Sequence, residues 1–189
     1  NRNSFPLMTD SYPPNIRERN KNYTIANKVA TRVSGTQVYP ARPNLGLNRV
    51  YDKSKLTADN RMKNADAVSG PVIFRGTTLP DFYGHAIFPE PGGNLVGAIR
   101  ISDNDGKVTG KPFFNQTELL TSFDERFRPV NTYTATDGSL FIVDMYRGII
   151  QDRSYLSQYL SKYIQAKGLD KGVHMGRIYR IRQPDIALT

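Results

Sequence analysis

Between residues 70 and 146 the sequence repeats one kind of unit, a short apolar or alternating segment followed by turn-forming residues. Apolar and polar residues alternate with period two in 95–102 and in the strand segment before the Asp-Gly turn, and 139–146 is a second, mainly apolar strand segment after that turn. The turn sequence Asp-Asn-Asp-Gly at 103–106 and the Asp-Gly pair at 137–138 suit hairpins, because these residues tolerate positive φ. Short strands joined by regular turns are typical of a sandwich, a barrel or a propeller. The sequence therefore predicts an all-β fold.

Further segments also predict strands, because each is a short apolar or alternating run bounded by Gly, Pro or charged residues. They are 70–76, 85–94, 107–114, 128–136 and 176–182. Residues 1–64 differ from this part, since short apolar pieces there alternate with Pro, Asn and charges and show little periodicity. We interpret 1–64 as an extended leader or wrapping segment, followed by a β domain over 65–189.

One helix is predicted within the β domain, over residues 153–167. Its apolar face recurs at helical spacing and comprises Tyr155, Leu156, Tyr159, Leu160, Tyr163 and Ile164. Asp152 is a candidate N-cap and Gly168 a candidate C-terminal residue. This face predicts packing against protein, with the tyrosine hydroxyls near the rim.

Composition excludes several kinds of chemistry. The chain has no Cys, which rules out disulfides, thiol catalysis, Cys-ligated zinc and a covalently attached haem within it. The net charge of +9 comes from scattered basic residues without a nucleic-acid motif, so a basic surface is favoured over nucleic-acid binding. No apolar run approaches the roughly 20 residues of a membrane helix, and no membrane span is expected. The chain begins with Asn1 and not with Met, which suggests processing or trimming.

The order of three sequence patterns resembles one protein family. The patterns are DERFRPVN at 124–131, DGSLFIVDMYRGIIQ at 137–151 and GLDKGVHMGRIYRI at 168–181. They resemble the quinoprotein glucose and sorbosone dehydrogenase superfamily, and within it the bacterial membrane-bound dehydrogenase-like group, some of which carry a cytochrome c domain. The resemblance implies a partial β-propeller, the last blades of a six-bladed propeller with one inserted helix. Residues 65–182 supply about two blades at four strands per blade. The remaining blades would come from the same protein or from another chain.

Blade geometry predicts a site at one end of the propeller channel. The loop entering the strand at 128–136 and the loop leaving the strand at 139–146 open at the same end, opposite the 137–138 turn. The predicted site residues are Arg126, Arg128, Asp144 and Arg147. The same argument brings three residues of the preceding blade to that end, which are Ser69, Glu90 and Asn94.

The resemblance implies pyrroloquinoline quinone (PQQ) as the cofactor. In the family an Arg-aromatic-Arg element before an inner strand helps to hold this tricarboxylate, and Arg126-Phe127-Arg128 matches it. Paired guanidinium groups suit carboxylates through bidentate, charge-assisted hydrogen bonds. The alternative is structural: these arginines tie neighbouring loops to acidic residues, for which Asp124, Glu125 and Asp144 are the candidates.

The chain departs from the family's catalytic pattern at two places. The loop at 89–94 has no Lys, which family members carry there, and the family's general base lies earlier than any residue of this chain. His85 and His174 match no catalytic position and are interpreted as packing or surface residues. The sequence leaves it open whether the chain is enzymatic.

Calcium is a second cofactor option, because the candidate end is rich in carboxylates. Glu90, Asp124, Glu125 and Asp144 carry hard oxygen ligands, although their spacing matches no known calcium loop. The turn at 103–106 resembles the start of an EF-hand but lacks the Glu at its twelfth position, which favours a plain hairpin.

Two functions of different class follow. The first is part of a PQQ-dependent dehydrogenase-like propeller, periplasmic or secreted, that oxidises a sugar or alcohol and passes electrons to a cytochrome c partner. The alternative is a non-catalytic propeller module that binds glycan or protein partners. A calcium-dependent, lactonase-like hydrolase is a third, weaker option.

Overall fold

The computed structural model describes residues 36–45, 53–152, 154 and 156–186. The strands are β1 Val72–Ile73, β2 Ala86–Glu90, β3 Leu95–Asn104, β4 Lys107–Pro112, β5 Leu120–Thr121, β6 Pro129–Thr134, β7 Leu140–Asp144 and β8 Arg177–Ile181. The helices are α1 Gln158–Lys167 and two 3-10 helices, Lys53–Lys55 and Pro80–Phe82. All strand pairs are antiparallel. The predicted all-β fold with one α-helix is confirmed for these residues. The two sheets do not close on one another there, and the propeller stays a prediction.

The first sheet is a meander in the order β1-β2-β3-β4, with β5 also pairing with β3. Asn104 pairs with Lys107 across the β3–β4 turn, so the loop itself is Asp105-Gly106. Both loop residues have positive φ, 51° and 80°, as a two-residue hairpin of this kind requires. The predicted hairpin at 103–106 is thus confirmed.

The second sheet has the order β6-β7-β8. Its hairpin turns at Gly138, which has a φ of 76°, and Thr134 pairs with Leu140 beside the turn. At the far end Pro129 pairs with Asp144, which in turn pairs with Arg177 of β8. This register places the start of β6, the end of β7 and the start of β8 at one end of the sheet, opposite the turn.

The main core lies between the two sheets. Its buried members are Phe74, Leu79, Ile87, Val96, Phe127, Leu140 and Ile142. The other face of the first sheet carries a second core, in which residues from 36–45 and 53–65 cover the strands. That core comprises Val38, Met62, Ala65, Ala86, Phe88, Leu95 and Ile99. Residues 1–35 and 46–52 of the predicted leader lie outside the described residues, whereas the remainder packs along the first sheet.

The helix begins later than the sequence pattern predicts. α1 runs over Gln158–Lys167 instead of 153–167, because Ser157 is extended (φ −68°, ψ 157°) and its hydroxyl accepts the N–H of Leu160 at 3.2 Å. Asp152 is not the cap. It accepts the N–H of Ser154 at 2.9 Å and also its hydroxyl, which is a local turn that competes with helix. Residues 153 and 155 lie outside the described residues.

The C-terminal end of α1 is as predicted. Gly168 is in the left-handed conformation with φ 58°, which closes the helix. Leu160 and Ile164 pack with Leu169 beneath the helix. No helix in the described ranges is both long enough and apolar enough to cross a membrane.

Candidate functional site

The candidate site lies where β6 begins and β7 ends, and Asp144 organises it. The Asp144 side chain is buried, at 1% exposure. Its Oδ1 accepts two backbone N–H groups, from Arg128 and from Tyr146, each at 2.8 Å. Its Oδ2 accepts the Tyr179 hydroxyl at 3.4 Å. The carboxylate therefore joins the strand entry, the strand exit and β8.

Arg128 is the second buried charge of the site, at 2% exposure. Its guanidinium donates to three backbone carbonyl oxygens: Nη1 to Pro91 at 2.6 Å, Nε to Arg147 at 3.0 Å and Nη2 to Gly148 at 3.2 Å. Burial lowers the Arg128 pKa to about 10, so the group is still cationic at neutral pH. The carbonyl dipoles replace the water it loses. Arg128 thus ties the turn after β2 to the loop after β7.

Arg126 and Arg147 differ from Arg128 because both retain donors. Arg126 is half-buried, and its Nη2 donates to the carbonyl of Gly168 at 3.0 Å. Its Nε and Nη1 have no partner among the described residues. Arg147 is exposed, and its guanidinium makes no hydrogen bond or ion pair within the described ranges. Only its backbone carbonyl takes part, as an acceptor for Arg128.

The residues expected from the preceding strands contact this end in different ways. Asn94, which is fully buried, donates its Nδ2 to the carbonyls of Glu125 and Phe127 at 3.1 and 2.8 Å. Ser69 donates its hydroxyl to the carbonyl of Val130 at 2.8 Å. Both therefore hold the β6 entry segment. Sequence reasoning thus placed both correctly at the site end.

Glu90 lies at the end of β2 and binds backbone N–H groups of the segment that precedes β1. Its Oε2 accepts the N–H groups of Asp66 and Ala67 at 2.8 Å each, and its Oε1 accepts that of Gly92 at 3.1 Å. Burial raises the Glu90 pKa to about 7 in spite of these bonds. Its geometry is that of an anchor for residues 66–67.

A buried ion pair joins the wrapping segment to the same loop. Arg42 Nη2 lies 2.9 Å from Glu125 Oε2, and the two side chains are 15% and 10% exposed. The Tyr163 hydroxyl, on α1, donates to that oxygen at 3.0 Å. Glu125 Oε1 is buried and has no hydrogen-bond partner in the described part of the chain. In the structural alternative, an acidic residue of this loop pairs with Arg126 or Arg128. Glu125 does form an ion pair, but with Arg42.

Sequence reasoning missed a second set of residues at the same end. The Arg177 guanidinium carbon lies 3.7 Å from the centroid of the Tyr146 ring, within the range of a cation–π contact. The Tyr146 hydroxyl donates to Asp124 Oδ2 at 2.7 Å, and the Arg126 N–H donates to Asp124 Oδ1 at 2.9 Å. Arg177 reaches this end because it pairs with Asp144 across β7 and β8. To predict its position, one must already know that β8 lies next to β7.

The carboxylates proposed as calcium ligands are dispersed. Glu90 binds backbone N–H groups, Glu125 binds Arg42, and Asp144 binds backbone N–H groups. The described residues contain no group of three or more His, Cys, Asp or Glu side chains placed to hold a metal ion.

The two histidines differ in position. His85 Nδ1 accepts the N–H of Ile101 at 3.2 Å, and its ring meets Phe113 edge-on. Desolvation lowers the His85 pKa, followed by the effect of Arg100. His174 is exposed in the loop before β8. His85 is therefore a packing residue, as the sequence suggests.

Comparison with known proteins identifies a family and nothing more specific. The family described as a domain of unknown function, DUF7133, matches residues 1–185. No curated protein and no solved structure matches the chain.

Proposed function

We propose that this chain, which belongs to the DUF7133 family, forms the cofactor-binding end of a quinoprotein-type propeller dehydrogenase. In this proposal the complete propeller oxidises a sugar or alcohol and passes electrons to a cytochrome in the periplasm or outside the cell. The observation that supports it is the pair of arginines, Arg126 and Arg147, that keep unused donors beside the buried Arg128–Asp144 tie. A carboxylate-bearing ligand is the natural partner for such donors.

The residues fit PQQ in part. Arg126 and Arg147 offer guanidinium donors that suit the cofactor's carboxylates. Arg128 does not fit, since its guanidinium is buried and donates to three carbonyl oxygens. Its role in the proposal is to hold the loops from which Arg126 and Arg147 project. When bound, the quinone supplies a hydride acceptor for the substrate, and this chain's residues bind and orient it.

The rest of the propeller supplies what this chain lacks. The resemblance places the family's general base earlier than any residue of this chain, and His85 packs at the far end of β2. In the part of the chain that the structure describes, β8 pairs only with β7, and the outer face of the second sheet is exposed. Both need neighbouring strands in this proposal, because unpaired sheet edges invite association. The proposal therefore assigns the base and the substrate pocket to the remaining blades.

The test is a titration of the purified chain with PQQ by isothermal calorimetry. We expect saturable binding that weakens in Arg147→Ala, because one charge-assisted hydrogen bond is lost, at about 1.5–3 kcal/mol. Arg147→Ala leaves the backbone acceptor of Arg128 intact, so a melting curve should be unchanged. The matched control is Arg180→Ala, since Arg180 pairs with Asp137 at the turn end of the same sheet. Absence of saturable binding by the wild-type chain would refute the cofactor role.

A second candidate is a non-catalytic propeller module for glycan or protein partners. One observation favours it. Arg128 is one of the two arginines of the Arg-aromatic-Arg element, and its guanidinium already donates to backbone carbonyl oxygens. Under this alternative Arg126→Ala lowers stability through the lost bond to Gly168, while the chain shows no affinity for PQQ. The same calorimetry and melting curves separate the two candidates.

A further inference from the structure

We infer that Arg177, held flat on the Tyr146 ring, completes a three-arginine site for a polycarboxylate anion together with Arg126 and Arg147. The identity of that anion as the quinone cofactor rests on the proposed function. The preference for a ligand with several carboxylates follows from the site itself. Neither Arg177 nor Tyr146 belongs to the Arg-aromatic-Arg element.

A continuous series of contacts brings the three arginines to one place. Arg177 stacks on Tyr146, whose hydroxyl donates to Asp124 Oδ2 at 2.7 Å. The other oxygen of Asp124 accepts the backbone N–H of Arg126 at 2.9 Å. Arg147 follows Tyr146 directly in the chain. These contacts connect Arg177, Arg126 and Arg147 through one tyrosine and one carboxylate.

Stacking on Tyr146 orients Arg177 for binding. A guanidinium that lies over an aromatic ring uses its flat face for the contact, which leaves its in-plane N–H donors available for a bidentate carboxylate. Arg177 is exposed and also interacts with the Tyr179 hydroxyl, so its remaining donors face solvent. Its side chain also loses less conformational freedom on binding, because the ring already restricts it.

The charge of the site favours an anion. Of the four charged side chains in this set, Arg126, Arg147 and Arg177 are cationic and Asp124 is anionic, which sums to +3 − 1 = +2. Asp124 already accepts hydrogen bonds on both of its oxygens. The neighbouring, less exposed charges partly compensate one another, since Glu125 and Asp144 act on Arg128 and Arg42 pairs with Glu125. The excess positive charge is thus confined to the exposed side.

The backbone at Tyr146 is held in an uncommon conformation. Tyr146 has a φ of 46°, which is rare for a bulky residue, and its N–H is fixed by buried Asp144 at 2.8 Å. Strained positions of this kind concentrate at functional sites. The hydrogen bond to Asp124 raises the Tyr146 pKa, so the hydroxyl keeps its proton at neutral pH. The ring that carries Arg177 is therefore positioned by both its backbone and its hydroxyl.

The experiment uses two probes, PQQ as an aromatic tricarboxylate and citrate as an aliphatic one, each titrated into the purified chain at low salt. We expect Arg177→Ala to weaken binding about tenfold or more. Arg177→Lys should lose nearly as much, because an ammonium group cannot bind a carboxylate bidentately. Tyr146→Phe keeps the ring but removes the bond to Asp124, and should weaken binding less. Arg180→Ala, in the same strand as Arg177, is the control and should bind as the wild type does.

The outcomes separate this inference from the proposed function. If Arg147→Ala weakens PQQ binding and Arg177→Ala does not, the inference is overturned and the cofactor role stands. If citrate binds in an Arg177-dependent way and PQQ does not bind, the inference stands and the cofactor role falls. If neither anion binds to a wild-type chain with a cooperative melting curve, both are overturned. A wild-type-like melting curve of Arg177→Ala assigns its effect to the ligand and not to folding.

Discussion

The backbone N–H of Arg128 donates to Oδ1 of Asp144 at 2.8 Å across the open end of a hairpin. This bond connects the residue directly before β6 with the last residue of β7. Around it, buried Arg128 binds carbonyls of two loops, whereas Arg126 is half-buried and Arg147 and Arg177 are exposed. The buried contacts of Arg128 and Asp144 hold the loops that carry the other arginines, and this is the physical basis of the ligand site that we propose.

Asp144→Ala is expected to destabilise the chain by about 2–5 kcal/mol. The change leaves the N–H groups of Arg128 and Tyr146 without their acceptor, and an unsatisfied buried donor costs about 1–3 kcal/mol. Urea denaturation followed by far-UV circular dichroism measures the loss. Asp81→Ala, which removes an exposed carboxylate, is the control and should change stability by less than about 0.5 kcal/mol. Equal effects of the two changes would contradict the anchoring role of Asp144.

Arg128→Met is expected to cost about 3 kcal/mol or more, because three carbonyl oxygens lose their donor in a buried setting. Arg147→Ala should cost little, since only the backbone of Arg147 takes part in the tie. Chemical denaturation of both variants tests this ordering. A larger loss in Arg147→Ala than in Arg128→Met would show that the tie does not hold the loops.

Stability should decrease as pH rises from about 4.5 to about 7. Burial raises the pKa of Glu90 and of Glu118 from 4.5 to about 7. An acid with a higher pKa in the folded state binds more protons when folded, so its contribution is complete below the unfolded pKa and is lost as pH rises through the folded one. Glu90 accepts the N–H groups of Asp66 and Ala67, and Glu118 accepts that of Tyr39 in the wrapping segment.

Melting temperatures between pH 4.5 and 8 measure this dependence. Glu90→Gln and Glu118→Gln keep the shape of each side chain and remove its titration, so each variant should show a shallower decline than the wild type. A decline of the same slope in the double variant would mean that other groups cause it.

The isolated chain should self-associate through the outer face of the second sheet. The register places Tyr133 beside Phe141 and Val143 beside Ile178 on that face, and Tyr133 and Ile178 are 38% and 57% exposed. Exposed apolar sheet faces favour association. Sedimentation velocity over a range of concentrations should show oligomers that Ile178→Lys reduces. A monomer with a cooperative calorimetric transition at all concentrations would contradict this.

Local signals account for most of the secondary structure that could be predicted. The turn at Asp105-Gly106, the strands β3 and β7, and Gly168 at the helix end are all as the sequence predicts. The helix start was wrong, because Asp152 and Ser157 are both plausible caps and the choice between them depends on how residues 149–156 pack. Strand β5, at Leu120–Thr121, was also missed. Two residues carry no periodicity, and β5 exists only because it pairs with β3.

The site was predicted as a group of residues, but their roles were not. Strand direction alone brings Arg126, Arg128, Asp144 and Arg147 to the end opposite the Gly138 turn, and the structure places them there. Strand direction could not show which of the arginines is buried. It also missed Arg177, because the β7–β8 pairing spans a helix and a long loop.

The sequence by itself determined the strands, the hairpins and the end of the domain at which the charges gather. These depend on side-chain alternation and on φ preferences that act within a few residues. Only the tertiary structure decided that Arg128 is an internal tie, while Arg126 is half-buried and Arg147 and Arg177 are exposed. The physical reason is that the burial of Arg128 depends on carbonyl oxygens of Pro91, Arg147 and Gly148, which only the packing of the two sheets brings together.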